Sequence, residues 1–315
     1  MKKVVDDARL MIKVCDLYYN QNISQQQLAD MLSLSRPTVS RLLSSSREQG
    51  IVEIRVSNLE TIKHWELERQ LKELYHLKDV VIVDSVPQRE EVPEDAAARY
   101  LENTIKDDDI VGISMGATLY QVVNHIAKPA ARRVTFVPLI GGMGQLRMEL
   151  HSNNLAESLS RKFEGSFVPM QAPARVSSAA VRRKLMKEES IAAAIALGER
   201  INTAIVGIGY PSQDSAIKAT GYFKEDEIES LIIKKAAGEI CMQFYDIEGK
   251  TFVGQNDNNV IGMEIEKLRK VPTRIGIAYG TAKLRAIQGA IAGQYINVLV
   301  TDFDCARALM EERRR

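Results

Sequence analysis

The chain has 315 residues, room for a small and a large domain or for one large enzyme domain, and its 45% hydrophobic and 26% charged residues are ordinary for a globular protein. A net charge of +1 supplies no global field to draw the molecule onto nucleic acid, so any DNA contact must come from local placement of Arg and Lys. Cys15, Cys241 and Cys305 are far apart and form no C-x-x-C pair, the polar start carries no signal-peptide pattern, and no stretch approaches the roughly 20 apolar residues of a membrane span. The expected setting is therefore cytoplasmic, away from membranes, with no disulfide framework, metal or cofactor.

In chain order, a helix is expected from about Asp6 to Tyr19, with Leu10, Ile12, Val14 and Leu17 facing inward. Ser24 then caps a second helix whose apolar face is Leu28, Ala29 and Leu32. A tight turn at Ser33-Leu34 follows, and Ser35 caps a third helix with Pro37 in its first turn. Val39 and Leu42 stand ten and thirteen residues after the small Ala29, the spacing that packs two short helices as a helix-turn-helix. Arg36, Thr38, Ser40 and Arg41 face outward, with Arg47 further along. Arg is suited to guanine O6 and N7, and Ser and Thr to bases or phosphates, so these are candidate operator contacts. Ser24, Gln25 and Ser35 at the helix starts are candidates for further DNA contacts. Gly50 followed by the alternating run Ile51–Val56 reads as the wing of a winged helix.

From Leu59 to Leu77 one amphipathic helix is expected, with Leu67, Leu71 and Leu74 on its apolar face. It would serve either as a dimerising linker or as a helix packed on its own domain. Beyond Lys78, β-branched runs alternate with helical patterns. Strands are expected at Val80–Val83, Ile110–Ile113, Val134–Val137, Ala204–Ile208, Ile275–Ala278 and Val298–Thr301, and helices between them, including Glu225–Ala237 and Ile261–Arg269. Nearly continuous apolar strands alternating with helices imply an α/β domain built on a doubly wound parallel sheet, with ligands at the carboxyl ends of the strands. The last three arginines read as a frayed tail. The divisions are thus 1–57, 58–78 and 79–315.

The loops at those strand ends carry the chemistry. Ser114-Met115-Gly116-Ala117-Thr118 joins a strand to a helix: glycine admits close approach, hydroxyls donate, and a helix start favours an anion. Gly112-x-Ser114-x-Gly116 also matches a hydrolase nucleophile elbow, but the histidines after it, His125 and His151, come too early for a late triad base, so hydrolysis is set aside. Gly141 and Gly142 follow the third strand, with Gln145 beyond them. Gly207 and Gly209 follow the fourth and make a poor dinucleotide fingerprint, since Pro211 interrupts the turn. Gly280 leads into Lys283, a cation in the first turn of a helix, unfavourable unless an anion sits there. Arg175 either meets a phosphate or lies on the surface. Asp246 either forms a turn before Gly249 or accepts from sugar hydroxyls.

These stretches, together with Arg47–Val52, Ala237–Asp246 and Lys283–Asp302, resemble the SorC family of sugar-responsive bacterial regulators, which includes deoxyribonucleoside-type regulators. The resemblance covers both domains. It implies an effector domain similar to sugar-phosphate isomerases but without catalysis, a phosphorylated sugar or sugar alcohol as effector, and a dimer or tetramer. It also implies that Ser114–Thr118 and Lys283 hold phosphate, while Gln145, Arg175 and Asp246 meet the sugar. Ile140 offers no amine for a Schiff base, which implies reversible binding. The expected function is a DNA-binding regulator of a carbohydrate or nucleoside operon, repressor or activator, with no catalytic residue. The alternative is a sugar-phosphate isomerase or deaminase carrying a DNA-binding domain.

Overall fold

The computed structural model describes residues 7–52, 64–84, 93–127, 129–142, 144, 147–212, 220–252 and 258–314. The chain divides into two compact units between Lys63 and His64.

In the first unit α1 (Ala8–Cys15) continues into a wider π turn, Asp16–Asn20, and is followed by α2 (Gln25–Leu32) and α3 (Arg36–Glu48). The Asp7 carboxylate caps α1 through the Arg9 and Leu10 N–H groups. Ser24 and Gln27 form a reciprocal capping box on α2. Ser33 turns the corner in the left-handed region at φ 53°, and Leu34 N–H closes it on the Ala29 carbonyl at 2.9 Å. Leu28, Ala29, Val39, Leu42 and Leu43 are buried against Met11, Val14 and Cys15. The inward stripe of α1 is therefore Met11, Val14 and Cys15, at i, i+3 and i+4. Ile12, expected inside, lies about 100° around the helix from Met11 and is 56% exposed. Ile51 and Val52 N–H groups both turn back to the Ser46 carbonyl. The rest of the expected wing, 53–56, and the linker segment 59–63 lie outside the described residues.

The second unit opens with α4 (Trp65–Tyr75) and then alternates: β1 (Asp79–Val83), α5 (Pro93–Thr104), β2 (Ile110–Ile113), α6 (Ala117–His125), β3 (Thr135–Pro138), α7 (Ser152–Lys162) and β4 (Ser166–Phe167). There follow α8 (Ala179–Leu185), α9 (Glu189–Gly198), β5 (Thr203–Gly207), α10 (Glu225–Ile233) and the hairpin β6 (Gly238–Ile240) and β7 (Gln243–Tyr245). The chain ends with α11 (Ile265–Leu268), β8 (Thr273–Ile277), α12 (Leu284–Ala292), β9 (Val298–Asp302) and α13 (Phe303–Arg314). The sheet is parallel throughout, in the order β1-β9-β8-β5-β2-β3-β4. Its strands are buried on both faces: Val111, Ile113, Ile205, Ile275, Val298 and Val300 look into one core layer, and Val137, Ala204, Val206 and Leu299 into the other.

The chain winds outward from β2 through β3 to β4, then returns beside β2 with β5 and winds the other way through β8 to β9. The direction therefore reverses between β2 and β5, and the crevice above their carboxyl ends is where such a sheet receives a ligand. Helix α4 turns Leu71, fully buried, toward its own core and contacts β1 and α13. Two further expectations fail. Residues 261–264 are extended, not helical, because Met263 N–H and the Ile261 carbonyl bond the chain at Leu139 and Gly141. The arginine tail is helical through Arg314, where α13 ends; Arg315 lies outside the described residues.

Candidate functional site

The crevice is assembled from the loops after β2, β5 and β8 and from the β6–β7 hairpin. Ser114 is buried, and its Oγ accepts the Gly207 N–H at 3.0 Å, while its own N–H donates to the Ile205 carbonyl. The serine thus locks β2 to β5 at the reversal point. Gly116 follows at φ 124°, a conformation that carries no penalty only for glycine, and the space where a side chain would stand is open. Its N–H is used by the Leu150 carbonyl, so the amides that face the crevice begin at Ala117, where α6 starts. The first N–H groups of α6 have no partner within the helix, and the local dipole favours an anion. Ala117 is exposed and Thr118 half-buried.

Lys283 reaches the neighbouring β5 loop from β8. A short 3-10 turn, Thr281–Lys283, precedes α12, and Lys283 Nζ donates to the Ile208 carbonyl of the β5 loop at 2.8 Å. Gly280 N–H is held by Asp302 Oδ2 at 2.8 Å, which ties the β8 loop to the end of β9. Gly209 exchanges backbone bonds with Glu239 of β6, and a Cβ at Gly209 would lie 2.2 Å from Glu239 Oε1. Glycine is needed there because a carboxylate packs on it. Burial pushes the Glu239 carboxyl up to about 7, against the opposing pull of Lys283. Burial likewise lowers the pKa of Lys283 below the usual lysine value, with Glu239 resisting. A buried acid and a half-buried ammonium thus sit within electrostatic reach of each other at the loop after β5. Sequence reading passed over Glu239 and Asp302. Their signal was available: single acids embedded in the apolar runs Gly238–Phe244 and Val298–Asp302.

Other expected residues are not brought to this point. Gly141 N–H is taken by the Ile261 carbonyl and Gly142 N–H by Ala172, so both glycine amides are committed to chain packing. Arg175 pairs with Glu227 at 2.5 Å, donates to the Tyr222 carbonyl and lies over the Phe223 ring, 4.3 Å from its centroid. It lines a separate cavity of about 410 Å³ with Phe223, Met242, Phe244 and Asn259. Asp246 is the turn former: its Oδ1 accepts the Glu248 and Lys250 N–H groups, both at 2.9 Å, and its carbonyl lies beside Gly289, six residues along from Lys283. Gln145 lies outside the described residues.

On the first unit, Arg36, Ser40, Arg41 and Arg47 are exposed on α3. Ser35 Oγ caps the Thr38 N–H, and the two hydroxyls lie 2.8 Å apart, so both are engaged locally. Gln25, the first residue of α2, is half-buried beside the capping Ser24.

A model described as "Putative sugar-binding domain" matches residues 60–311, and a Crp-like helix-turn-helix model matches residues 8–69. The chain is 34% identical over 312 residues to the deoxyribonucleoside regulator of Bacillus subtilis (strain 168), covering 98% of this chain and 99% of that one. It is 32% identical over 312 residues to the sorbitol operon regulator of Klebsiella pneumoniae, covering 97% and 99%. The chain belongs to the SorC family. The crystal structure of full-length SorC from Klebsiella pneumoniae superposes with a TM-score of 0.73 at 32% identity, over 97% of this chain and 99% of that one. As a SorC family member, the protein is a DNA-binding transcriptional regulator with a sugar-binding domain, not the isomerase or deaminase kept as the alternative. Among the described residues no helix is long and apolar enough to cross a membrane.

Proposed function

We propose that the effector is a phosphorylated sugar or sugar alcohol, held reversibly above β2 and β5. Its phosphate meets the Ala117 and Thr118 amides and Lys283, and a sugar hydroxyl donates to Glu239. The observation that carries this reading is that α6 starts directly after β2 with no side-chain cap, while the half-buried Lys283 bonds the loop after the adjoining β5, at the reversal point of the sheet. Ile140 offers no amine for a Schiff base, in keeping with non-covalent binding. The names of the relatives, a deoxyribonucleoside regulator and a sorbitol operon regulator, support an operon of sugar or nucleoside catabolism as the target.

Arg36, Thr38, Ser40 and Arg41 read the operator, and Ser24, Gln25 and Ser35 lie at its backbone. The effector domain covers 79–315 and the DNA-binding domain 1–57, joined through 58–78. The protein acts as a homo-oligomer, since a helix-turn-helix reads paired half-sites about 34–36 Å apart. Calorimetry with a panel of pentose and hexitol phosphates tests the reading. At least one should bind to the wild type, and its affinity should fall about tenfold or more in Lys283→Met, the loss of one charge-assisted phosphate contact. Equal binding of the dephosphorylated compound would refute the phosphate assignment.

A further inference from the structure

The β8 loop is connected, contact by contact, to the first residue of the effector unit. The Thr281–Lys283 turn is closed by Lys283 N–H on the Gly280 carbonyl at 3.0 Å. Gly280 N–H holds Asp302 Oδ2 at 2.8 Å, and Asp302 Oδ1 accepts the Cys305 N–H at 2.9 Å, capping α13. The first residue of α13, Phe303, stacks on His64 with ring centroids 4.7 Å apart. His64 Nε2 lies 2.9 Å from Asp84 Oδ1, and the side chain is only 12% exposed. Its backbone is left-handed at φ 70°, a conformation a non-glycine residue adopts at a cost. Lys63, the next residue toward the N-terminus, belongs to the other unit.

We propose that Asp302, Phe303 and His64 form a relay that carries the state of the effector crevice to the point where the DNA-binding unit is attached. The proposal rests on that crevice being the effector site. An anion that draws Lys283 Nζ off the Ile208 carbonyl shifts the turn, and Gly280 takes Asp302 and the start of α13 with it. The body of α4 is held on β1, because Glu68 Oε1 accepts the Ile82 N–H at 2.8 Å. The displacement at Phe303 therefore falls on His64. Asp302, Phe303 and His64 touch no DNA in this scheme; they position the residue from which the chain leaves.

A ligand-free double-mutant cycle on the full chain tests this. Lys283→Met, Phe303→Leu and the double variant are compared with wild type for affinity toward a duplex selected from random DNA by the wild type. The emission of Trp65, the chain's single tryptophan and the neighbour of His64, is read in parallel. Lys283→Met alone should change duplex affinity about fivefold or more, the lower end of ordinary allosteric coupling, and shift Trp65 emission. In the Phe303→Leu background the same change should fall below about twofold, and Phe303→Tyr, which keeps the ring, should retain the full response. If Phe303→Leu unfolds, His64→Gln keeps a polar group for Asp84, removes the ring and should give the same uncoupling. Additive effects, or no effect of Lys283→Met in either background, overturn the relay. Because no sugar is present, that outcome is distinct from a failure of phosphosugar binding in calorimetry.

Discussion

Glu239 shows how much a single residue's surroundings determine. Its carboxyl titrates at about 7 in the folded protein and at the ordinary 4.5 when unfolded, so folding favours the protonated form. Its contribution to stability is complete below pH 4.5 and is lost as pH rises through about 7. Glu239→Gln should therefore be more stable than wild type at pH 8, by roughly 1–3 kcal/mol, because each tenfold change in proton affinity is worth about 1.36 kcal/mol. Near pH 4.5 the two proteins should be indistinguishable. Denaturant melts of the ligand-free protein at the two pH values check both halves. Gly209→Ala should cost roughly 1–3 kcal/mol in the same melts, since the new methyl overlaps Glu239 Oε1. On the DNA side, Arg41→Ala should weaken binding by roughly 1–3 kcal/mol and relax base preference at one position of the selected duplex, measured by binding to single-base variants.

At the scale of elements, the helix-turn-helix was readable because its local signals agree: caps at Ser24 and Ser35, a small residue at Ala29, and apolar positions at helical spacing. Leu42→Ala, at a fully buried position, should cost about 2–5 kcal/mol and abolish duplex binding. Ser35→Ala should cost only about 1 kcal/mol, the value of one cap, visible as a small loss of thermal midpoint. The parallel strands were readable for a similar reason, as short β-branched runs buried on both faces. The β6–β7 hairpin was missed because its two-residue turn is Cys241-Met242, both at positive φ without glycine or asparagine. The role of Gly141 and Gly142 was misjudged because their partners, Ile261 and Ala172, lie far along the chain and leave no local mark. Arg175 was legible as a cation but not as the partner of Glu227, 52 residues later.

For the whole molecule, the winding order gives the site its location. The alternation of apolar strand runs with helical patterns announced α/β, but only the strand order β8-β5-β2-β3 shows that the Ser114 and Gly207 loops are neighbours and that Lys283 crosses to the β5 loop. A sequence gives the loops in chain order, whereas the sheet sorts them by register, so residues as distant as Ser114 and Lys283 could be matched only by their chemistry. The relay through Asp302, Phe303 and His64 was invisible for the same reason. The central claim is that a phosphate in this crevice changes the protein's hold on DNA. The most direct measurement is the affinity of the full chain for its selected duplex, titrated with each phosphosugar and with its dephosphorylated counterpart. One phosphosugar should change that affinity about fivefold or more in the wild type and leave Lys283→Met nearly unmoved, with the dephosphorylated sugar inert. A response that survives removal of the phosphate, or of the Lys283 charge, would contradict it.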